Sequence, residues 1–170
     1  IDAPLYVHHV VDIRDRKALP DIEGAAILFN NAGIQQGEAD IETNLVGAIN
    51  VTEKYIERND ALRSILFNAS ASSISGQEFP YYAASKAGLV GYMRNVAIRL
   101  APRGVTCNAI SLGGVLTESN DPVMRDPALW QAIMDVTPMK KWTTLDEVCE
   151  WVAFLTLVNR SMSGENLLID

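Results

Sequence analysis

The amino-acid sequence predicts an α/β fold with three layers, α/β/α, built on a doubly wound parallel sheet. Two observations predict it. Short apolar runs alternate along the chain with longer segments of helical period, which is the pattern of successive strand-helix-strand units. Several of these runs are apolar without alternation, as expected of strands that helices cover on both faces.

Five segments are predicted to be strands. They are short and rich in Val, Ile, Leu and Phe, and most end in Asn, Ser or Asp. Their sequences are HHVVDI at 8–13, AAILFN at 25–30, SILFNAS at 64–70, VTCNAISL at 105–112 and ENLLID at 165–170.

Two long segments between these strands carry apolar residues at helical spacing. The first covers 41–56 and the second covers 89–100. Pro102 and Gly104 follow the second segment. Because proline cannot continue a helix and glycine is favoured just past a helix end, we expect the second helix to stop there.

A third helix is predicted near the end of the chain. Thr144 is placed to cap its first turn, and Glu147 follows three residues later, which is the capping-box pattern. The residues expected to face the core come next at helical spacing: Val148, Trp151, Val152 and Leu155.

Charge and composition limit the class of partner. The 170 residues include 14 basic and 21 acidic side chains, which disfavours nucleic-acid and anionic-membrane surfaces because both need clustered Lys and Arg. Cys107 and Cys149 lie far apart without metal-ligand spacing, so neither a disulfide framework nor a metal site is predicted. No apolar run approaches the ~20 residues of a membrane span. We therefore expect a soluble, cytoplasmic protein whose partners are small molecules, with no nucleic acid and no membrane.

The stretch PYYAASKAG at 80–88 places a tyrosine and a lysine four residues apart on one helical face. Tyr82 alone is a poor base at neutral pH, because the ordinary pKa of tyrosine is about 10. The ammonium of Lys86, together with a cationic cofactor ring in a partly desolvated cleft, could stabilise the phenolate. The pair would then exchange a proton with an alcohol or a ketone. A Tyr-x-x-x-Lys match by itself is a weak motif, so its context must decide.

Small and polar residues follow three of the predicted strands, as NNAG at 30–33, ASASS at 69–73 and SLGGVLT at 111–117. In doubly wound sheets ligands bind outside the carboxyl ends of the strands, so these are candidate binding loops. Turns also favour Asn, Gly and Ser for reasons of backbone geometry alone. Both interpretations stay open for each loop.

Six ordered motifs resemble those of the classical short-chain dehydrogenase/reductase family, and the 3-oxoacyl-carrier-protein reductase type is the nearest likeness. They are NNAG at 30–33, TNLVG at 43–47, NAS at 68–70, YAASKAG at 82–88, GVTCNAI at 104–110 and GGVLT at 113–117. Their order and spacing, over nearly the whole chain, are far more specific than any single match. The resemblance implies a Rossmann-type fold and an NAD- or NADP-dependent oxidoreductase that interconverts a secondary alcohol and a ketone.

The resemblance implies four catalytic residues. Tyr82 would be the general acid and base, and Lys86 would lower its pKa and hold the nicotinamide ribose. Ser70 would donate a hydrogen bond to the substrate oxygen, because the family's serine stands about a dozen residues before the tyrosine. Asn44 would hold a water that links Lys86 to solvent. Turn capping is the expected role of the neighbouring serines, Ser72, Ser73 and Ser75.

The resemblance assigns six residues to the adenosine half of the cofactor: Asp2, Asp12, Ile13, Asn30, Ala32 and Gly33. Ala32 and Gly33 would let the backbone pass close to the ribose. Asp12 and Ile13 would contact the adenine, although Asp12 is also placed to cap a turn. Asp2 would bind the ribose hydroxyls and repel a 2′-phosphate, which slightly favours NAD over NADP.

The nicotinamide half would lie against GGVLT, next to Tyr82 and Lys86. Val115 would present its backbone to the carboxamide, Thr117 would present its hydroxyl, and Gly113 would open the loop. The family's proline before that glycine is Leu112 here, a departure that is expected to loosen the loop without abolishing it.

The family's first strand and glycine-rich phosphate turn have no counterpart in these residues. We therefore expect residues 1–170 to form one Rossmann-type domain that lacks its first strand-helix-strand unit. By the same resemblance, 118–142 would be the substrate segment and the protein a homodimer or homotetramer. The segment's large apolar residues could line a pocket or pack into the core: Met124, Trp130, Met134, Met139 and Trp142.

Two other functions compete with the oxidoreductase. Epimerases and dehydratases share a related Tyr-x-x-x-Lys, but the NNAG and GGVLT forms and the absence of a C-terminal substrate domain disfavour them. A non-catalytic or cofactor-deficient homologue with a nucleotide-binding or structural role is the stronger alternative, because no phosphate-binding turn is present in the sequence.

Overall fold

The computed structural model describes residues 6–35, 37–57, 59–77 and 79–170. The strands are β1 (Ile27–Asn30), β2 (Ser64–Asn68), β3 (Thr106–Leu112) and β4 (Asn166–Ile169). The α-helices are α1 (Ala48–Ile56), α2 (Ser72–Ser75), α3 (Pro80–Leu100), α4 (Asp121–Met124), α5 (Pro127–Val136) and α6 (Leu145–Ala153). π-helical turns at Ile41–Gly47 and Phe154–Val158 precede α1 and follow α6, and 3₁₀ turns lie at Ala101–Arg103 and Glu118–Asn120.

The four strands form one parallel sheet in the order β1-β2-β3-β4. The pairing runs through Phe29 with Leu66, Leu66 with Asn108, and Ile110 with Leu167. Because all strands run the same way, their carboxyl ends lie along one edge of the sheet. Four of the five predicted strands are thus confirmed, each shorter than predicted by one or two residues.

The predicted strand at 8–13 is wrong. The structure has no strand there, and Val10 is 89% exposed. A strand needs a neighbour to satisfy its backbone hydrogen bonds, and among the described residues none pairs with this segment. Its β-branched composition alone therefore does not fix its structure.

Two apolar layers cover the two faces of the sheet. On one face Ile65, Phe67 and Cys107 pack against residues of α1 and α3. On the other face Leu66 and Ile110 pack against Leu155 of the π-helical turn that follows α6. Since successive strand residues point to opposite faces, these alternating contacts confirm the predicted three-layer α/β/α arrangement.

The predicted helices are present with their predicted end and cap, and the one difference is the exposure of Trp151. Helix α3 ends at Leu100 and is followed by a 3₁₀ turn and by Gly104 at φ +69°. The capping box of α6 is present, with Thr144 accepting from the Glu147 N–H and the Glu147 carboxylate accepting from the Thr144 N–H. Trp151, however, is 42% exposed and stacks edge-on against Phe154 rather than packing in the core.

Among the described residues, none of the helices combines the length and the apolar character that crossing a membrane requires.

Candidate active site

The carboxyl ends of β1 and β2 are tied together by asparagines. The side-chain amide of Asn68 donates to Asn31 Oδ1 at 2.8 Å, which joins the NNAG loop to the end of β2. The Oδ1 of Asn68 is buried and has no hydrogen-bond partner among the described residues. A buried acceptor without a partner is costly, so this atom marks a place where a bound group or water would be favourable.

Lys86 lies at the centre of this edge. Helix α3 carries it together with Tyr82, and its ammonium lies 5.6 Å from the centroid of the Tyr82 ring. Its Nζ donates to the backbone carbonyl of Asn68 at 2.7 Å, and the residue is only 4% exposed. Burial away from water lowers the pKa of Lys86 from 10.5 to about 8, because desolvation disfavours the charged form.

The π-helical turn Ile41–Gly47 holds Asn44 on the helix beside α3. Asn44 is buried, and its Oδ1 accepts from the Ile34 N–H at 2.7 Å while its Nδ2 donates to the Ile34 carbonyl at 2.8 Å. These two bonds clamp the chain that follows NNAG onto the turn. Single π-helical turns inside helices occur frequently at functional sites.

Ser85 is a buried residue of this network that the sequence analysis missed. Its hydroxyl accepts from Asn44 Nδ2 at 3.1 Å and donates to the backbone carbonyl of Tyr82 at 2.7 Å. Ser85 therefore connects Asn44 to the turn of α3 that carries Tyr82 and Lys86. The available signal was its position, since a serine inside a helix commonly bonds back to the carbonyl three or four residues earlier.

Asn44 was predicted to hold a water between Lys86 and solvent. Both hydrogens of its side-chain amide are already donated within the protein, to Ile34 and to Ser85. Any water at this side chain would therefore have to donate to Oδ1, which keeps one lone pair beside the bond from Ile34. The water-holding role stays a prediction, with this restriction on its geometry.

Gly33 lies where a side chain would crowd the lysine. A Cβ at this position would come within 3.1 Å of Asn44 Oδ1 and 3.4 Å of Lys86 Nζ. Glycine therefore keeps the approach to the ammonium open. The predicted close passage of the backbone at Ala32 and Gly33 is consistent with this opening.

The serines after β2 mainly bond to one another and to the local backbone. Ser70 is buried, its Oγ accepts from the Ser72 N–H at 3.2 Å, and its hydroxyl donates to Ser72 Oγ at 3.3 Å. Ser73 Oγ lies 3.2 Å from Ser111 Oγ, and Ser75 Oγ accepts from the Gln77 N–H. Ser70 thus caps a turn itself, and its contact with a substrate oxygen stays a prediction.

The loop after β3 is packed between two side chains. A Cβ at Gly113 would overlap the carboxylate of Asp170, and a Cβ at Gly114 would overlap the indole ring of Trp142. Trp142 in turn packs edge-on against Trp130 of α5, with ring centroids 5.0 Å apart. Gly113 therefore allows the backbone of this loop to lie against Asp170, and Gly114 allows it to lie against Trp142 of the predicted substrate segment.

Gly114→Ala is expected to lower the free energy of unfolding by about 1–3 kcal/mol, because the methyl group must displace a rigid ring in a packed contact. Chemical denaturation of the purified chain measures this. Gly91→Ala is the matched control, since nothing lies within 4 Å of a Cβ there and alanine in a helix interior gains up to about 1 kcal/mol. Equal midpoints for Gly114→Ala and wild type would show that Trp142 does not confine this loop.

Known proteins are similar to this chain in sequence and in fold. A family model described as enoyl-(acyl carrier protein) reductase matches residues 21–170. Nodulation protein G of Azospirillum brasilense is 35% identical over 151 residues, covering 79% of this chain and 60% of that protein. The (+)-borneol dehydrogenase 1 of Salvia officinalis is 32% identical over 97% of this chain and 73% of its own length. The chain belongs to the short-chain dehydrogenase/reductase family.

A solved member of the short-chain dehydrogenase/reductase family has the same fold. It is a putative 2-deoxy-D-gluconate 3-dehydrogenase from Agrobacterium tumefaciens with bound NADP, with a TM-score of 0.79 at 26% identity, covering 85% of this chain and 65% of that one. The chain thus spans roughly three fifths to three quarters of the length of these relatives. The Rossmann-type fold predicted from the sequence is confirmed.

The residues predicted to bind the adenosine half of the cofactor in this short-chain dehydrogenase/reductase make contacts within the protein. Asn30 donates to Thr52 Oγ1 of α1 at 3.0 Å, and Ile13 packs against Gly47 of the π-helical turn. Asp12 accepts from the Arg14 N–H at 2.9 Å and pairs with the Arg14 guanidinium, which holds its pKa down at about 2. Asp12 therefore does cap a turn, and its adenine contact stays a prediction. Asp2 lies outside the described residues.

The predicted substrate segment divides between core and surface. Met134 is buried, Trp130 and Trp142 pack on each other, and Met139 is exposed. Core packing accounts for Met134, while the two tryptophans form a wall beside Gly114. The segment's role in holding substrate stays a prediction.

Proposed function

We propose that the chain acts as an NAD- or NADP-dependent oxidoreductase that interconverts a secondary alcohol and a ketone. The observation that carries the proposal is the buried ammonium of Lys86, 5.6 Å from the Tyr82 ring on the same helical face. A cation at that distance in a poorly hydrated site favours the phenolate over the phenol. Proton exchange at the Tyr82 hydroxyl near neutral pH follows from this.

The bound nicotinamide would supply or accept the hydride, and the protein would transfer the proton and stabilise the charge that develops. In the direction of reduction, the Tyr82 hydroxyl gives its proton to the carbonyl oxygen and becomes a phenolate. Lys86 stabilises that phenolate, and Ser70 donates to the same substrate oxygen as negative charge develops on it. The proton that Tyr82 loses returns from solvent past Lys86 and Asn44.

The residues present fit a nicotinamide dinucleotide at this edge. Gly33 leaves the approach to Lys86 free, and Asn68 Oδ1 offers a buried acceptor without a partner in the described chain. Lys86 and Tyr82 would hold the nicotinamide ribose, and Val115 and Thr117 the carboxamide. Val115 belongs to a short parallel bridge with Thr143, so its backbone groups have fixed directions.

Substrate binding and assembly extend the proposal. The substrate is a small alcohol or ketone held between Tyr82 and the tryptophan wall of Trp130 and Trp142. The protein is proposed to form a homodimer or homotetramer through α3, whose outer face carries small residues and an Ile98 that is 77% exposed. Because the chain spans only part of the length of its relatives, the substrate and the assembly are proposed for the whole protein.

The test is a two-part measurement on the purified chain. First, binding of NADH and NADPH is measured by titration without substrate, and we expect saturable binding of at least one of them. Second, oxidation of the bound dinucleotide is followed with a panel of aliphatic, cyclic and sugar ketones, and we expect turnover with at least one. Binding without any turnover would favour the non-catalytic alternative, and binding of neither dinucleotide would contradict the oxidoreductase and favour a cofactor-deficient homologue.

A further inference from the structure

Val115 forms a bridge with Thr143, but its own N–H and C=O groups make none of the hydrogen bonds of that bridge. The Thr143 N–H donates to the Gly114 carbonyl and the Leu116 N–H donates to the Thr143 carbonyl, both at 3.0 Å. Peptide groups alternate in direction along an extended chain. The N–H and C=O of Val115 therefore point together to the opposite side, which is the pair of groups that a planar carboxamide can bind.

A carboxamide from the protein itself already binds there. The side-chain amide of Asn120 donates to the Val115 carbonyl at 2.8 Å. The Asn120 backbone N–H also donates to the Thr117 carbonyl at 2.9 Å and closes the 3₁₀ turn Glu118–Asn120. The Asn120 side chain thus bonds the Val115 carbonyl with a primary amide, the same chemical group that the proposed function places there from the nicotinamide.

We propose that Asn120 is a latch that competes with the cofactor. Its side-chain amide donates to the Val115 carbonyl when no dinucleotide is bound. When a dinucleotide binds, the nicotinamide carboxamide takes the place of that amide. One primary amide replaces another on the same acceptor, so the exchange conserves that hydrogen bond.

This inference rests on the proposed function, and it predicts in which direction the Kd for the dinucleotide changes when the Asn120 side chain is removed. A carbonyl oxygen has two lone pairs, so the competing possibility is that Asn120 stays in place and steadies Val115 for the cofactor. Removal of a competitor strengthens cofactor binding, whereas removal of a support weakens it. The sign of the change in Kd distinguishes the two roles.

The experiment compares Asn120→Ala with wild type in titrations of NADH and NADPH without substrate. We expect the Kd of the Asn120→Ala variant to be about fivefold lower, the effect of one ordinary hydrogen bond. Ser119→Ala in the same turn is the matched control, since Ser119 is exposed, and its Kd should equal that of wild type. In wild type, the ¹⁵N side-chain signals of Asn120 should shift when the dinucleotide is added.

An unchanged or higher Kd in Asn120→Ala would overturn the latch while leaving the proposed function intact. So would Asn120 side-chain signals that do not move in wild type on saturation with cofactor, and this readout holds even if the variant is unstable. If wild type binds neither dinucleotide, the proposed function itself fails, and the latch fails with it.

Discussion

Tyr82→Phe is expected to lower kcat/KM by about two to four orders of magnitude with any substrate that the wild-type chain turns over. The change removes only the hydroxyl that would carry the proton, and a well-placed general acid or base contributes this much. Steady-state rates with NADH or NADPH and a ketone found in the panel measure it. The free energy of unfolding is measured alongside, so that a loss of rate can be distinguished from a loss of folded protein.

The matched control is Tyr81→Phe. Tyr81 precedes Tyr82 on α3, is 45% exposed, and points about 100° away around the helix. Its loss of a hydroxyl should leave kcat/KM within about twofold of wild type, as expected for a surface change away from the reacting atoms. Comparable rates for wild type and Tyr82→Phe would show that another group transfers the proton and would end the proposed mechanism.

Lys86→Met is expected to abolish turnover and to change the pH dependence of stability. The pKa of Lys86 falls from 10.5 to about 8 on folding, so the unfolded chain holds this proton more tightly than the folded chain. Folding stability therefore rises with pH between about 8 and 10.5, and it lacks this contribution below pH 8, where the lysine is charged in both states. The full rise corresponds to about 3 kcal/mol.

Urea unfolding of wild type and Lys86→Met at several pH values from 7 to 10.5 tests this. Wild type should gain stability relative to the variant as the pH rises, because methionine has no proton to lose. Lys17→Met, at an exposed position, should follow the wild-type curve. Parallel curves for wild type and Lys86→Met would mean that the ammonium is well hydrated in the folded chain and is not the buried cation that the mechanism requires.

The predictions that depended on local periodicity and on helix-end residues agree with the structure. The buried strands, the end of α3 near Pro102 and the capping box of Thr144 and Glu147 are all confirmed. Each depends on residues close together in the chain, whose backbone preferences act locally. The same holds for the pairing of Tyr82 with Lys86, since helical geometry alone brings residues four apart to one face.

Contacts between distant segments were predicted less well. Trp151 has the correct spacing for a core position but is exposed, because burial depends on which part of the sheet the helix covers. The segment 8–13 has the composition of a strand but no pairing partner among the described residues. Ser85 and Asn120 were missed, since neither a helical serine nor a loop asparagine shows in the sequence which group it will bond.

Local periodicity was enough to predict the α/β class, four of the five proposed strands, and the helical face that Tyr82 shares with Lys86. Three contacts became visible only in the folded chain: Lys86 donates to the Asn68 carbonyl, Asn44 bonds Ile34 and Ser85, and Asn120 donates to the Val115 carbonyl. Each of these contacts joins residues on different elements or loops, and packing of the whole chain sets which donor meets which acceptor.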